Sequence, residues 1–228
     1  MSIIRITDLH KVYDETNVPV HALNGVDLKI EEGEFTAIVG PSGSGKTTLL
    51  NMIGGLDTPS SGEVSINGTA VSSLKSRKLI DFRLHNIGFV FQAYNLIPVL
   101  TAIENVAFIM QLQGQSKDKR LKRAMELLDA VGIADKANQR PGNLSGGQQQ
   151  RVAVARALAS EPKFILADEP TANLDSSSTS ELLDIMQKMN LESNITFLFS
   201  THDQRVVDKA SRIITIDDGK VASDEKIQ

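Results

Sequence analysis

The chain has 228 residues, with 24 basic against 28 acidic side chains, a net charge of −4 and no cysteine. That length supports one domain with a sizeable core and room for a subdomain, rather than two independent domains. The near balance of charge removes the global basic field that argues for nucleic acid, and the absence of cysteine excludes disulfides, iron–sulfur clusters and thiol catalysis and fits a reducing compartment.

Taken in chain order, the opening "MSIIRITDLHKVYDE" scatters charges among its apolar residues and is not a secretory signal. The first third is expected to be strands, "IIRITDLHKVY", "ALNGVDLKI", "EFTAIVG" and "GEVSING", separated by Asp, Asn and Gly turns. One helix, Thr47 to Ile53, interrupts them. The longest uncharged run, Asn86 to Ile103, is broken by Gln92, Asn95 and Pro98, and within it "IGFVF" reads as a strand. It therefore lacks the continuous apolar stretch of about 20 residues that a membrane span requires. A helical block is expected from about Thr101 to Ser160, where Leu121, Ala124, Met125 and Leu128 recur at helical spacing and are read as core. The basic run "KDKRLKR", Lys117 to Arg123, opens a helix there and reads as solvated surface. The last third alternates strand "KFILAD", helix Ser178 to Leu191, strand "ITFLFS", helix Gln204 to Lys209 and strand "RIITID", the pattern of a parallel sheet covered by helices. No internal repeat or low-complexity linker is present, so the helical block reads as a subdomain inserted into the sheet domain.

Chemistry concentrates first at "GPSGSGKTTLL", Gly40 to Leu50, which joins a strand to a helix. The spacing of Gly40, Gly45, Lys46 and Thr47 fits a loop whose backbone N–H groups point inward at phosphate oxygens. The helix N-terminus adds its positive dipole end, Lys46 reaches the β/γ phosphates, and the Thr47 hydroxyl is a ligand for Mg²⁺. A plain glycine-rich turn would also join strand to helix, but would not require Lys-Thr in that register. The chain is expected to bind a nucleoside triphosphate.

"FILADEP", Phe164 to Pro170, is an apolar strand ending in two carboxylates. Asp168 is placed to hold Mg²⁺ through its water shell, and Glu169 to orient and deprotonate a water attacking the γ-phosphate. "NLSGGQQQRVAVARAL", Asn143 to Leu158, opens a further helix at Ser145, Gly146 and Gly147, whose N–H groups and hydroxyl make a second anion site. Taken alone, Ser-Gly-Gly there could be only an N-cap.

With Leu-Ser-Gly-Gly-Gln complete at Leu144 to Gln148, the sequence resembles the signature of the ATP-binding cassette family, and the resemblance extends over essentially the whole chain. It implies an α/β fold: a P-loop NTPase, RecA-like parallel-sheet core with an N-terminal antiparallel β subdomain and an inserted α-helical subdomain. The whole of 1–228 would be one ATPase domain, with 1–92 and 161–228 forming the core and 93–160 the helical signature subdomain. The resemblance further implies that Tyr13 stacks on adenine, that Gln92 after "IGFVF" senses Mg²⁺, that "ANLD" ending at Asp175 crosses to another subunit, and that His202 in "STHD" contacts the γ-phosphate. The implied nucleotide set is Tyr13, Gly40, Pro41, Ser42, Gly43, Ser44, Gly45, Lys46, Thr47, Thr48 and Ser145, Gly146, Gly147, Gln148. Thr47, Gln92 and Asp168 are the metal set, and Glu169, His202, Lys46 and Gln92 the catalytic one. ATP and Mg²⁺ are the implied cofactors. Two copies would pack head to tail, each enclosing ATP between its own Gly40–Thr47 loop and the other's Ser145–Gln148 helix, a closed twofold pair.

"VPVHALNGVDL", "FQAYNLIPVLTAIENV" and "RPGNLSGGQQQRVAVARALA" look like the lipoprotein-release and macrolide-efflux branch of bacterial ATP-binding subunits. That implies a transmembrane permease docked near 93–105, a place on the cytoplasmic face of the inner membrane, and no nucleic-acid partner. The branch also contains peptide exporters and a regulator of cell-wall hydrolases, and no residue here selects a cargo. A cassette ATPase acting on ribosomes or DNA is the other reading of the ATP motifs, although such proteins commonly carry tandem cassettes or a long coiled-coil insertion. A P-loop kinase would leave the signature helix, Gln92 and His202 without a task.

Overall fold

The computed structural model describes residues 2–14 and 18–227; Met1 and Glu15 of the opening stretch lie outside them. In chain order its elements are β1 (Ser2–Tyr13), β2 (Val20–Glu31), β3 (Phe35–Val39), α1 (Lys46–Ile53), β4 (Ser61–Ile66), β5 (Thr69–Ala70), α2 (Ser76–Asn86) and β6 (Ile87–Phe91). There follow α3 (Ala102–Leu112), α4 (Lys117–Ala130), α5 (Gly146–Leu158), β7 (Phe164–Asp168), α6 (Ser176–Ser193), β8 (Thr196–Ser200), α7 (Gln204–Val207), β9 (Arg212–Asp217) and β10 (Lys220–Lys226). Each expected strand and helix forms close to its expected ends. The chain is α/β, and its contacts gather into two units, Met1–Asp81 with Thr196–Gln228, and Phe82–Ile195.

In the first unit, β1 pairs antiparallel with β2 and β4, burying Ile4, Ile6 and Leu9 on one face with Leu23, Val26 and Val64. β3 pairs parallel with both β8 and β9, and β10 closes the edge against β9. β3 and β8 are short, mostly apolar and buried along almost their whole length, as expected of strands covered on both faces. Phe35, Phe197 and Phe199 cluster between them, with ring centroids of Phe35 and Phe199 4.5 Å apart. β10, "KVASDEK", has too many charges to show an apolar alternation, and Arg212 accounts for its place. Buried on β9, Arg212 donates to Glu34 (2.8 Å), to the Lys29 carbonyl (2.8 Å) and through two nitrogens to Asp224 (2.7 and 2.6 Å). Its hydrogen bond to Asp224 holds that carboxyl below its usual value against the opposing effect of burial.

In the second unit, β6 and β7 run parallel in register from Ile87 opposite Phe164 to Phe91 opposite Asp168. α3, α4 and α5 pack on one another, and α5 also covers β6. Ala124 and Leu128 are core as expected, but Met125 is 39% exposed and Leu127 is buried in its stead. α2 was not foreseen: none of its residues is fully buried, so no apolar stripe marks it. Among the described residues no helix is long and apolar enough to cross a membrane.

Candidate functional site

In the first unit the glycine loop runs from the end of β3 into α1. Gly40 has φ +148° and Gly45 φ +107°, and a β-carbon would fall 2.0 Å from the Ile216 carbonyl oxygen at Gly40 and 2.4 Å from that of Ala22 at Gly45. No side chain fits at either position, so the loop is drawn against β9 and β2 and its amides are left to line the concave side. The Ser44 hydroxyl is buried without a partner. Lys46 bends over the loop and donates to the carbonyls of Gly40 (2.8 Å) and Pro41 (2.9 Å). An ammonium has three donors, so one remains for an anion. Pro41, Ser42 and Gly43 make the exposed tip, while Thr47 and Thr48 lie in the first turn of α1.

Tyr13 closes β1 with its hydroxyl donating to Asp57 (2.9 Å). Lys11 donates to the other oxygen of Asp57 (2.8 Å) and lies over the tyrosine ring, 4.7 Å from its centroid. Burial and then the hydrogen bond to Asp57 raise the Tyr13 pKa, so the hydroxyl stays a donor at any working pH. One ring face is thus occupied by a cation. His202 follows β8, where the Thr201 amide donates to the Ile38 carbonyl (3.1 Å). Since Ile38 is opposite Ser200, the exposed His202 emerges at the same sheet end as Gly40.

In the second unit the in-register ends of β6 and β7 bring Gln92 beside Asp168 and Glu169. Glu169 has φ +47°, a left-handed conformation, directly before Pro170. The Gln92 carbonyl accepts from Asn173 (3.0 Å), which ties the loop after β6 to the loop after β7. Ser145 caps α5 by accepting from the Gln148 amide (3.3 Å), and Gln148 accepts in return from the Ser145 amide (3.0 Å). This capping box engages the Gln148 side chain but leaves the Ser145 hydroxyl hydrogen and the amides of Gly146 and Gly147 as donors at a positive helix end. Asp175 caps α6 by accepting from the amide (2.9 Å) and hydroxyl (2.7 Å) of Ser178, whose backbone bond holds the carboxyl pKa down.

The predicted residues therefore gather as two sets, Tyr13, Gly40–Thr48 and His202 in the first unit, and Gln92, Asp168, Glu169 and Ser145–Gln148 in the second. Sequence reading missed the residues that hold them. Asp57 and Lys11 fix Tyr13. Tyr94 and Asn95, consecutive left-handed residues after Gln92, offer their carbonyls to the Arg156 guanidinium, and the Tyr94 hydroxyl lies 2.9 Å from where a β-carbon of Gly146 would stand. Asn105, fully buried, donates to the Ile97, Leu100 and Thr101 carbonyls and accepts from the Ile97 amide (2.8 Å), winding 97–101 around itself. Asp57, Lys11 and Arg156 find their partners 44 to 62 residues away, beyond the reach of a local pattern, whereas Asn105 binds carbonyls four to eight residues before it. Among the described residues no group of three or more His, Cys, Asp or Glu forms a metal cage. A hydroxyl, an amide oxygen and one carboxylate suit Mg²⁺, which keeps waters and substrate phosphates as most of its ligands.

Residues 23–172 match the model of the ABC transporter family. Over 98% of its length the chain is 48% identical to an uncharacterised ABC transporter ATP-binding protein of Thermotoga maritima, covering 95% of that protein. It is 46% identical over 98% of its length to the macrolide export ATP-binding/permease protein MacB of Mannheimia succiniciproducens, of which it spans 35%. The ATP-binding cassette MJ0796, solved as a dimer in a post-hydrolysis state bound to ADP and Pi, superposes with a TM-score of 0.92 at 44% identity, with 99% of each chain covered. MJ0796 comes from Methanocaldococcus jannaschii.

Proposed function

The chain belongs to the ABC transporter family as a cassette that binds and hydrolyses ATP, and from that premise we propose that it is the separate ATPase subunit of a membrane complex of the lipoprotein-release and macrolide-efflux branch, working as a head-to-tail dimer. The observation that carries the reading is the pair of anion-ready helix starts, α1 behind the glycine loop and α5 behind Ser145. One triphosphate in one subunit has no need of both, whereas a dimer that encloses each ATP between one subunit's loop and its partner's α5 uses every such donor. The relation to MacB, which joins an ATPase to a permease in one protein, supports a permease partner for this chain.

In this reading the loop amides and Lys46 hold the β/γ phosphates, and Tyr13 stacks its open face on adenine. Thr47, Gln92 and, through its water shell, Asp168 would hold Mg²⁺, which would supply neutralisation of charge on the phosphate oxygens. Glu169 takes the proton of the attacking water, and His202 steadies that water and the γ-phosphate. The amides at the start of α5 engage the γ-phosphate of the partner's nucleotide, so ATP strengthens the dimer and its loss loosens it. Residues 93–160 serve as the signature subdomain, with 93–105 as the permease-docking segment. The chain would sit on the cytoplasmic face of the inner membrane.

The test is Glu169→Gln. It should keep ATP affinity, hydrolyse about 10² to 10⁴-fold more slowly, and accumulate as a dimer by light scattering at saturating Mg-ATP. A strictly monomeric variant at high protein concentration refutes the sandwich. Capture of the same variant from detergent-solubilised source membranes should bring a permease with it.

A further inference from the structure

We propose that Gln150 is a positioning residue for hydrolysis, holding the turn that presents Glu169; the proposal rests on the reading of Glu169 as the base. Gln150 lies in the second turn of α5 and is fully buried. Its amide nitrogen donates to the Pro170 carbonyl at 2.7 Å, with both ends of the bond buried. A carbonyl only accepts, so the nitrogen must face it and the orientation of the amide is set. The amide oxygen is buried without a partner.

That half-satisfied amide is a poor stabiliser, since its oxygen has left water and gained nothing. An apolar side chain of the same length would fill the volume without that cost. What it would not supply is a donor to Pro170. The turn needs one: Glu169 is left-handed (φ +47°) although a residue before proline favours extended conformations, and Pro170 has no N–H with which to tie itself. Two backbone ties close by, the Ala172 amide to the Glu169 carbonyl at 3.3 Å and the Leu174 amide to the Thr171 carbonyl at 3.1 Å, are both longer than the glutamine bond. Gln150 therefore anchors the peptide that follows Pro170, one residue beyond Glu169, to the body of α5. A carboxylate that must meet a water in line with phosphorus tolerates little displacement.

The experiment is a cycle of Gln150→Met, Glu169→Gln and the double variant, reading kcat, ATP affinity and Tm. Gln150→Met should melt no lower than the parent and bind ATP unchanged, yet lose about 10- to 100-fold in kcat, the scale of a 1 Å misplacement. Added to Glu169→Gln, it should cost less than about threefold more, because residues that act as a unit are non-additive. Undiminished kcat in Gln150→Met beside a slow Glu169→Gln overturns the proposal and leaves the base assignment standing. Overturning it equally is a loss that recurs in full on the Glu169→Gln background, which marks a general structural role. Wild-type hydrolysis by Glu169→Gln removes the base assignment and this proposal with it. If Gln150→Met does not fold, Gln150→Asn, one methylene too short to reach Pro170, carries the same cycle with the same outcomes.

Discussion

The stacking of adenine proposed for Tyr13 is the part of the reading whose energetics the geometry defines most closely, and Tyr13→Ala isolates it. Lys11 covers one ring face at 4.7 Å and Asp57 holds the hydroxyl at 2.9 Å, so only the other face is left for a base and the ring has little freedom to turn. Removing the ring forfeits one base stack, about 1 to 3 kcal/mol, which is roughly 5- to 150-fold in Kd. Tyr13→Phe keeps the stacking surface and loses only the anchor. Its cost should be that of immobilising one side chain on binding, about 0.5 to 1.5 kcal/mol or roughly two- to tenfold. Calorimetric titration with ATP and with tripolyphosphate separates base from phosphates. Tyr13→Ala should weaken ATP and leave tripolyphosphate unchanged, with Tyr13→Phe between it and the parent. Equal losses for both ligands would refute stacking, and a Phe variant as weak as the Ala variant would show that the anchor rather than the ring face matters.

Lys46→Ala removes the one ammonium over the loop, and at about 1.5 to 3 kcal/mol per charged hydrogen bond ATP should bind about a hundredfold more weakly; unchanged affinity by calorimetry would sink the loop assignment. In the proposed docking segment Val99 is 71% exposed, whereas Leu96, Ile97 and Leu100 are half-buried, so Val99 is where a charge tests permease binding. Val99→Asp should abolish copurification with the cognate permease and change the isolated subunit's kcat by less than about twofold, the usual range of a surface change; normal copurification would move the docking site elsewhere. Arg212→Met removes the guanidinium that Glu34 and Asp224 share, leaving Glu34 only Thr36 at 3.2 Å and Lys226 at 3.8 Å, and should cost about 3 to 5 kcal/mol, a Tm drop of about 6 to 20 °C for a domain of this size. Because Asp224 is depressed in the folded state, its contribution is present above its unfolded value of 3.8 and fades as pH falls through the folded one, so the gap between parent and variant should narrow below about pH 4; a gap independent of pH would contradict the pairing.

What the sequence disclosed was contiguous. The glycine loop, the carboxylates after an apolar strand and the Ser-Gly-Gly helix start each place their donors within a few residues, where backbone geometry alone arranges them. The packed face of α4 was less accessible. Leu121, Ala124, Met125 and Leu128 satisfy helical spacing, but so does Leu127, three residues after Ala124, and only the helices packed against α4 decide that Leu127 turns inward. β10 shows no apolar alternation, its one local mark being the left-handed Asp218-Gly219 turn that returns the chain against β9, and α2 buries no stripe.

The same division between near and far runs through the site and gives the two classes of residue different mutational signatures. Lys46 and the start of α5 meet the ligand with groups set by their own turn, so their loss should appear in affinity. Asp57 behind Tyr13, Arg156 behind Tyr94 and Asn95, and Gln150 behind Glu169 reach 44 to 62 or, for Gln150, 20 residues along the chain to fix a backbone or ring without facing the nucleotide. A residue of that kind supplies orientation, and orientation enters the rate through how seldom the reacting atoms are misaligned. Losing Asp57 should relax selection of the base, because it steadies the tyrosine ring proposed to read adenine. Losing Gln150 should leave base selection alone and lower kcat, because the peptide it holds leads to the proton acceptor and to nothing that grips ATP.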